Sequence, residues 1–345
     1  MKVAMYYSNS DVRITKMPVP EIGDDELLVK VKACGICGSD VMEWYRIQKA
    51  PLVLGHEVSG EIAKVGDGIK QSEEVRNYSV GDRVSVTHHV PCNTCHYCLS
   101  GHHSVCETLR TTTFFPGGFS EYLRVPKINV DRGIFPLPDE MSHEEAVFIE
   151  PLGCVFRGQR LAGFKPGMSV LIIGSGVTGL LFVKLLLALG AGRIITTDIS
   201  DFKLQKAMEM GADAVISANK NVQERVKELN NGRLADLVIS TAGASAAIKT
   251  AIDSVDRGGT ILFFAPSRPG EMVEIPLAKL WKDEVKIVTC YASSPLDSNQ
   301  AIELIRSGRV KVKDMISHVL PLEKAGEGFA LAADSTESLK VIIKP

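Results

Sequence analysis

The stretch Ser169-Val-Leu-Ile-Ile-Gly-Ser-Gly-Val-Thr-Gly179, continued by LLFVKLLLALG (180–190), decides the fold. An apolar run predicts a strand over SVLIIG (169–174), and the residues after it predict a helix near 176–189. A G-x-G-x-x-G match carries weight only when a strand leads in and a helix leads out, and both do here. Gly174 permits the tight turn, Gly176 lets backbone N–H groups approach a pyrophosphate, and Gly179 lets the helix lie close on its strand. These glycines, with Val177 among them, are the candidate dinucleotide-binding residues.

Downstream, RIITTD (193–198), a helix near 201–210, ADAVIS (212–217), ADLVIST (235–241) and GTILFFA (259–265) alternate strand and helix texture, which is the grammar of a doubly wound parallel sheet over roughly 155–290. Asp198 closes the second strand, 24 positions after Gly174, where a carboxylate can accept from ribose hydroxyls and repel a 2′-phosphate. NAD is therefore favoured. Asp is also a common helix N-cap, and Lys203, near enough in sequence to touch the ribose, keeps NADP open. Upstream, LLVKVKA (27–33), VSGEIAKVG (58–66) and DRVSVT (82–87) are short β runs between Gly, Pro and Asp turns, an irregular β-rich domain. SSPLDSNQAIELIRSG reads as a capped helix and LKVIIKP as a closing strand, a tail too short to stand alone and expected to fold back onto the first domain. The expected division is 1–153 with 291–345, and 154–290. Residues 67–80 look like a surface insertion.

A chain of 345 residues can bury two hydrophobic cores, and a net charge of −2 without basic runs argues against nucleic acid and anionic lipid as partners. A small molecule is the expected partner. The N-terminus lacks a basic-then-apolar leader and no apolar stretch approaches the ~20 residues that span a bilayer, so a cytoplasmic, non-membrane protein is expected. Eight cysteines in that compartment stay reduced, which turns attention to metal binding.

Cys92, Cys95, Cys98 and Cys106 place four thiols within fifteen residues of a polar, turn-rich loop. Four thiolates close a tetrahedral zinc shell and leave no position for chemistry, so this reads as a structural site. An iron–sulfur cluster would accept the same ligands, but nothing else in the chain suggests electron transfer. His96, His102 and His103 read as loop-surface residues. A second set is dispersed: Cys37 in CGICGSD (34–40), His56 and Glu57 in GHE (55–57), Glu150 in EPLG (150–153). A thiolate, an imidazole and a carboxylate leave room for water or substrate, the composition of a catalytic zinc site. Cys34 and Cys154 read as small buried side chains.

With these motifs in this order, the chain resembles the zinc-containing medium-chain dehydrogenases over essentially its full length, closest to their sorbitol (polyol) dehydrogenase-like branch. The resemblance implies an α/β protein with a GroES-like catalytic domain around an inserted Rossmann domain, two zinc ions per chain, a deep interdomain cleft, and a dimer or tetramer. It implies that Cys37, His56 and either Glu57 or Glu150 hold the catalytic zinc, that Asp40 orients His56, and that Ser39 takes the substrate proton. The implied reaction moves a hydride between a secondary alcohol or polyol and NAD, with a ketone or aldehyde on the other side; threonine-type and sugar-phosphate-type relatives are alternatives.

Departures fall where substrate is chosen. Met42 stands where many relatives carry a proton-passing histidine, and Cys290-Tyr291 where sorbitol dehydrogenases carry Arg-Tyr. Trp44, Tyr45, Phe114, Phe115 and Tyr291 either line the substrate space or pack, and Arg46 is open to pairing with an acidic or phosphorylated substrate. Two rivals remain: a non-catalytic nucleotide-binding scaffold, and a zinc-free quinone reductase on the same fold.

Overall fold

A computed structural model describes residues 1–69 and 77–345, so the core of the 67–80 insertion lies outside the described residues. The chain forms two compact units, Met1–Cys154 with Ala292–Pro345, and Val155–Tyr291.

The second unit is built on six parallel strands in the order Ala214–Ser217, Arg193–Asp198, Ser169–Ile173, Ala235–Ser240, Val255–Phe263, Lys286–Thr289. Ser169–Ile173 is central and buried at all five residues, which is why it reads as an unbroken apolar run rather than an alternating one. The helix Val177–Ala188 is apolar nearly all round for the same reason: eight of its residues are buried. Successive strands depart from Ser169–Ile173 first to one side and then to the other, so the order reverses there, and ligands of such sheets bind beyond the carboxyl ends at that point. The edge strand Lys286–Thr289 escaped the sequence reading because most of its residues are exposed.

In the first unit the strands Leu27–Gly35 and Glu57–Val65 pair antiparallel at the heart of a seven-stranded sheet. The C-terminal strand Lys340–Lys344 pairs with Leu27–Gly35 through Ile342 opposite Gly35 and Ile343 opposite Cys34. The tail thus returns to the first unit, carrying Lys340 to the ends of the two strands that bear the dispersed motif. Its helix Pro295–Arg306 starts at a reciprocal cap in which Asp297 accepts from Ser294 N and Oγ, the pattern legible in SSPLD. Val29, Val31, Val58, Ile62, Phe119, Phe329 and Ile343 are among the side chains of one core.

Candidate active site

Cys37 and His56 follow the end of Leu27–Gly35 and precede the start of Glu57–Val65, and the glycines beside them explain the local sequence. Gly55 has φ +96°, and a Cβ there would lie 2.7 Å from Cys34 Sγ and 2.9 Å from Phe119 N, so no other residue can lead the chain into His56 this way. A Cβ on Gly35 would fall 2.0 Å from Glu57 Oε2, so the Glu57 side chain crosses where Gly35 has none.

His56 Nδ1 lies 3.3 Å from Oδ1 of the fully buried Asp40, and the His56 side chain also hydrogen-bonds Cys37. Asp40 Oδ2 accepts from Cys37 N at 3.1 Å. The thiol of Cys37 accepts from Ser39 N and from Ser39 Oγ, each at 3.4 Å. Burial works against charge on His56, but the charges of Asp40 and Cys37 outweigh it and hold the imidazole well above its ordinary range. Burial likewise pushes Asp40 up, and the opposing charges of His56 and Arg46 bring it below the usual carboxylate range.

Glu150 stands in the first turn of the helix Ile149–Leu161. Burial and the charge of Glu57 raise its pKa against the opposing charge of His56. Cys154, one turn on, donates its thiol to Glu150 Oε1 at 3.4 Å and is only partly buried, not the buried side chain expected. Cys34 is fully buried. Glu57 has both oxygens bonded by the buried Lys340, at 2.7 and 2.5 Å. Lys340 also donates to Ile36 O at 3.3 Å. A lysine inside the buried run LKVII was the signal that could have flagged it.

Beside this set stand Arg46, open in the sequence to pairing with a substrate, and His88 and His89, which the sequence left without a role. Arg46 reaches Ser39 O, Ser39 Oγ and Asp40. His88 packs against His56 at 4.8 Å between ring centres and against His89 at 3.6 Å; burial first, then the neighbouring cations, lowers both, His89 to about 4. Phe114 is a core residue under His88, whereas Tyr45 is partly exposed and stacked by Arg46 at 4.8 Å. Phe115 and Tyr291 are exposed.

The four cysteines of the loop come together. Their sulfurs all lie within 4.8 Å of one another, with Cys92 to Cys98 at 3.9 Å and Cys92 to Cys106 at 3.6 Å. Zinc–sulfur bonds of about 2.3 Å set tetrahedral edges of about 3.8 Å, so the residues fit a zinc ion. Backbone N–H groups of Thr94 and Cys95 donate to Cys92 Sγ and bring its pKa down to about 5, while burial pushes Cys98 up to about 12. Asn93, at φ +65°, turns the chain between the first two cysteines. His96 and His102 are exposed and His103 half-buried. Among the described residues no other three donors come within that spacing. The fit of the dispersed site therefore rests on its donor chemistry: a thiol that accepts two hydrogen bonds, and an imidazole whose Nδ1 faces a buried carboxylate so that Nε2 is the nitrogen left for a metal.

In the second unit Gly174 has φ +94°, and a Cβ there would press on Thr241 Oγ1 at 2.5 Å; a Cβ on Gly179 would sit 1.9 Å from Gly174 O. A Cβ on Gly176, at the N-cap of Val177–Ala188, would meet no protein atom within 4 Å. Open space before a helix N-terminus is the cradle a pyrophosphate needs, and the residues fit a dinucleotide. Asp198 accepts from Ser175 N at 2.7 Å and Ser200 N at 2.9 Å. The N-cap of the next helix, Asp201–Glu209, is Ser200, whose side chain accepts from Lys203 N, so Asp198 does not serve there. Lys203 is half-buried on that helix.

Comparison with known proteins agrees with both units. Residues 23–139 match the family described as alcohol dehydrogenase GroES-like domain, and residues 177–307 that described as zinc-binding dehydrogenase. The chain is 33% identical to a sorbitol dehydrogenase of Bacillus subtilis (strain 168), over 100% of this chain and 97% of that one. The alcohol dehydrogenase TADH from Thermus sp. ATN1 superposes with a TM-score of 0.87 at 30% identity, covering 100% of this chain and 99% of that one. A zinc-binding dehydrogenase from Sinorhizobium meliloti 1021, solved with NADP bound, superposes at 0.88 with 29% identity, covering 100% and 99%.

Proposed function

The chain belongs to the GroES-like, zinc-binding alcohol dehydrogenase family, and from that premise we propose that it oxidises a secondary alcohol or polyol, with NAD as the acceptor and two zinc ions per chain. Cys37, His56 and Glu150 would hold the catalytic ion, and Cys92, Cys95, Cys98 and Cys106 the structural one. The single observation that carries this reading is the cluster in which Cys37 and His56 touch each other, Asp40 grips His56, and the Ser39 hydroxyl sits against the thiol. When bound, zinc supplies a Lewis acid for the substrate oxygen and NAD the hydride acceptor.

The chain's own residues do the rest. Asp40 fixes the tautomer and direction of His56. Ser39 Oγ takes the hydroxyl proton as the alcohol is oxidised while its own hydrogen passes on to water, so the serine stays neutral. Lys340 keeps Glu57 occupied, so that a second carboxylate is charge-balanced beside Glu150. Gly174, Gly176, Val177 and Gly179 hold the pyrophosphate at the helix N-terminus. Asp198, with both oxygens already oriented by backbone N–H groups, receives the ribose hydroxyls, which favours NAD over NADP. In this reading Met1–Cys154 with Ala292–Pro345 is the catalytic unit and Val155–Tyr291 the cofactor unit.

Four closely set thiolates need a reducing compartment, which supports the cytoplasm; no helix among the described residues is long and apolar enough to cross a membrane. Exposed Ile275, Leu277, Trp281 and Ile287, on or just before the edge strand Lys286–Thr289, support a homo-oligomer in which a second copy covers that edge. Metal analysis together with NAD reduction across polyols, cyclic alcohols, threonine-like amino alcohols and sugar phosphates tests the reading. Two zinc ions per chain and turnover of a polyol or secondary alcohol are expected; a zinc-free chain, or NAD binding without turnover of any of these, would refute it.

A further inference from the structure

Met42 removes the imidazole that the resemblance places next to the proton-accepting serine, yet the serine is not left alone. Met42 is the N-cap of the short helix Glu43–Arg46, and Arg46, four residues on, bonds its backbone N–H to Met42 O at 3.1 Å. The helix is pinned at its start, because Glu43 Oε1 accepts from Asn9 N at 3.0 Å while Asn9 Nδ2 donates to Val41 O at 2.8 Å. From its last residue the guanidinium turns inward and is only 15% exposed. Its Nε donates to Ser39 O at 2.9 Å and its Nη2 to Ser39 Oγ at 3.1 Å, and Nη2 lies 3.4 Å from Asp40 Oδ1. The same Asp40 oxygen faces His56 Nδ1.

We infer that Arg46 is a positioning residue which, by bonding Ser39 and Asp40 with one rigid fork, fixes the direction of the Ser39 hydroxyl and the orientation of His56 together. The inference rests on Ser39 as the proton acceptor of the proposed reaction. A hydroxyl oxygen has two lone pairs and one hydrogen. In Ser39 one lone pair accepts from Arg46 and the hydrogen points to Cys37 Sγ at 3.4 Å. The second lone pair is then the one left for a substrate hydroxyl, so Arg46 presets the serine as an acceptor. Arginine stays protonated and only donates, so the group beside the serine is a fixed cation and not a second proton carrier. Lysine offers a point charge without the fork and can replace only part of this.

The test uses the zinc-loaded protein and the variants Arg46→Met, Arg46→Lys and Ser39→Ala, with xylitol and 2,3-butanediol as probe alcohols and NAD as acceptor. Arg46→Met is expected to lower kcat about tenfold with KM changed less than about twofold, and Arg46→Lys to recover part of the loss, while both metals stay bound. A second readout needs no turnover: with cobalt in the Cys37–His56 site and zinc kept in the four-cysteine site, the thiolate-to-cobalt absorption is expected to shift in Arg46→Met, because the Ser39 hydroxyl bonded to Cys37 is released to rotate. An unmoved band in Arg46→Met, or a loss of kcat matched by loss of the catalytic metal, would overturn the proposal. If Arg46→Met does not fold, Arg46→Lys carries both readouts, and a band and kcat equal to the parent's would overturn it. Ser39→Ala with full kcat and a shifted band in Arg46→Met would sink the role of Ser39 in proton transfer while leaving Arg46 as the group that sets its hydroxyl.

Discussion

Both proposed metal sites lie in the same compact unit, yet they are built on opposite plans. The four-cysteine loop takes all its ligands from fifteen consecutive residues, has little core of its own beyond Leu109 and the cysteines, and presents sulfurs already at tetrahedral spacing. The dispersed site draws Cys37 and His56 from the ends of two paired strands, Glu150 from a helix more than ninety residues later, and its balancing lysine from the C-terminal strand. In the proposed loop site the metal would do the work that a hydrophobic core does elsewhere; in the proposed dispersed site the sheet is there first and would hold the metal by what it brings together. The loss of a ligand should therefore cost fold in one case and chemistry in the other.

The largest effect is expected from Cys98→Ser. Structural zinc contributes on the order of 10 kcal/mol of folding free energy to small metal-held units, so the variant should lose one zinc equivalent and show early proteolytic cleavage between residues 91 and 107 with a lowered Tm. Retention of the parental Tm with one zinc missing would break the contrast. His56→Ala should act the other way: catalytic zinc is lost and alcohol oxidation falls on the order of a thousandfold, while NAD binding, measured by fluorescence titration, and Tm stay close to the parent's.

Lys340→Met sharpens the same contrast inside the dispersed site, because it removes a charge partner rather than a ligand. Glu57 and Lys340 are both almost fully buried, and stripping one member of a buried pair typically costs about 3–5 kcal/mol. Urea unfolding should show that loss, and Glu57→Gln added to Lys340→Met should return most of it. No recovery in the double variant would mean that Lys340 matters by packing, not by charge.

What could be read from the chain beforehand follows the same division. The loop was legible as a thiol cluster because its spacing is local, and the strand-to-helix turn because Gly174, Gly176 and Gly179 each answer a separate steric demand within six residues. Cys37, His56 and Glu150 could be proposed as one set only through resemblance, since no local rule says that two strand ends and a distant helix meet. The partners of Arg46 and Lys340 were illegible for a different reason: an arginine after an aromatic pair is an ordinary surface residue, and a lysine inside the apolar run LKVII signals burial without naming its partner, until the register of Lys340–Lys344 against Leu27–Gly35, and the inward turn of Glu43–Arg46, are known. Cys154 was misjudged because its neighbour along a helix, Glu150, lies one turn away and captures its thiol hydrogen.

The smallest of the expected effects separates charge from geometry at His56. Asp40→Asn keeps an oxygen that can accept from His56 Nδ1 and an outline that fills the same buried space, but removes the negative charge. Loss of a partner of this kind usually costs about 10–100-fold in metal affinity, so competition with a chelator should strip zinc from the Cys37–His56 site at lower chelator concentration while the four-cysteine zinc is released as in the parent. The pH dependence follows from the same pair in metal-free protein. Asp40 is held below its unfolded value, so its contribution to stability is present above that value and is lost as pH falls through the depressed one. His56 is held above its unfolded value, so its contribution is full below about pH 6.5 and is lost as pH rises through the raised one. Metal-free parent should thus gain most from the pair in mildly acidic solution, where Asp40→Asn should cost most, and the cost should fade toward alkaline pH. A stability difference between the two proteins that does not change across that range would show that Asp40 acts on His56 through shape alone.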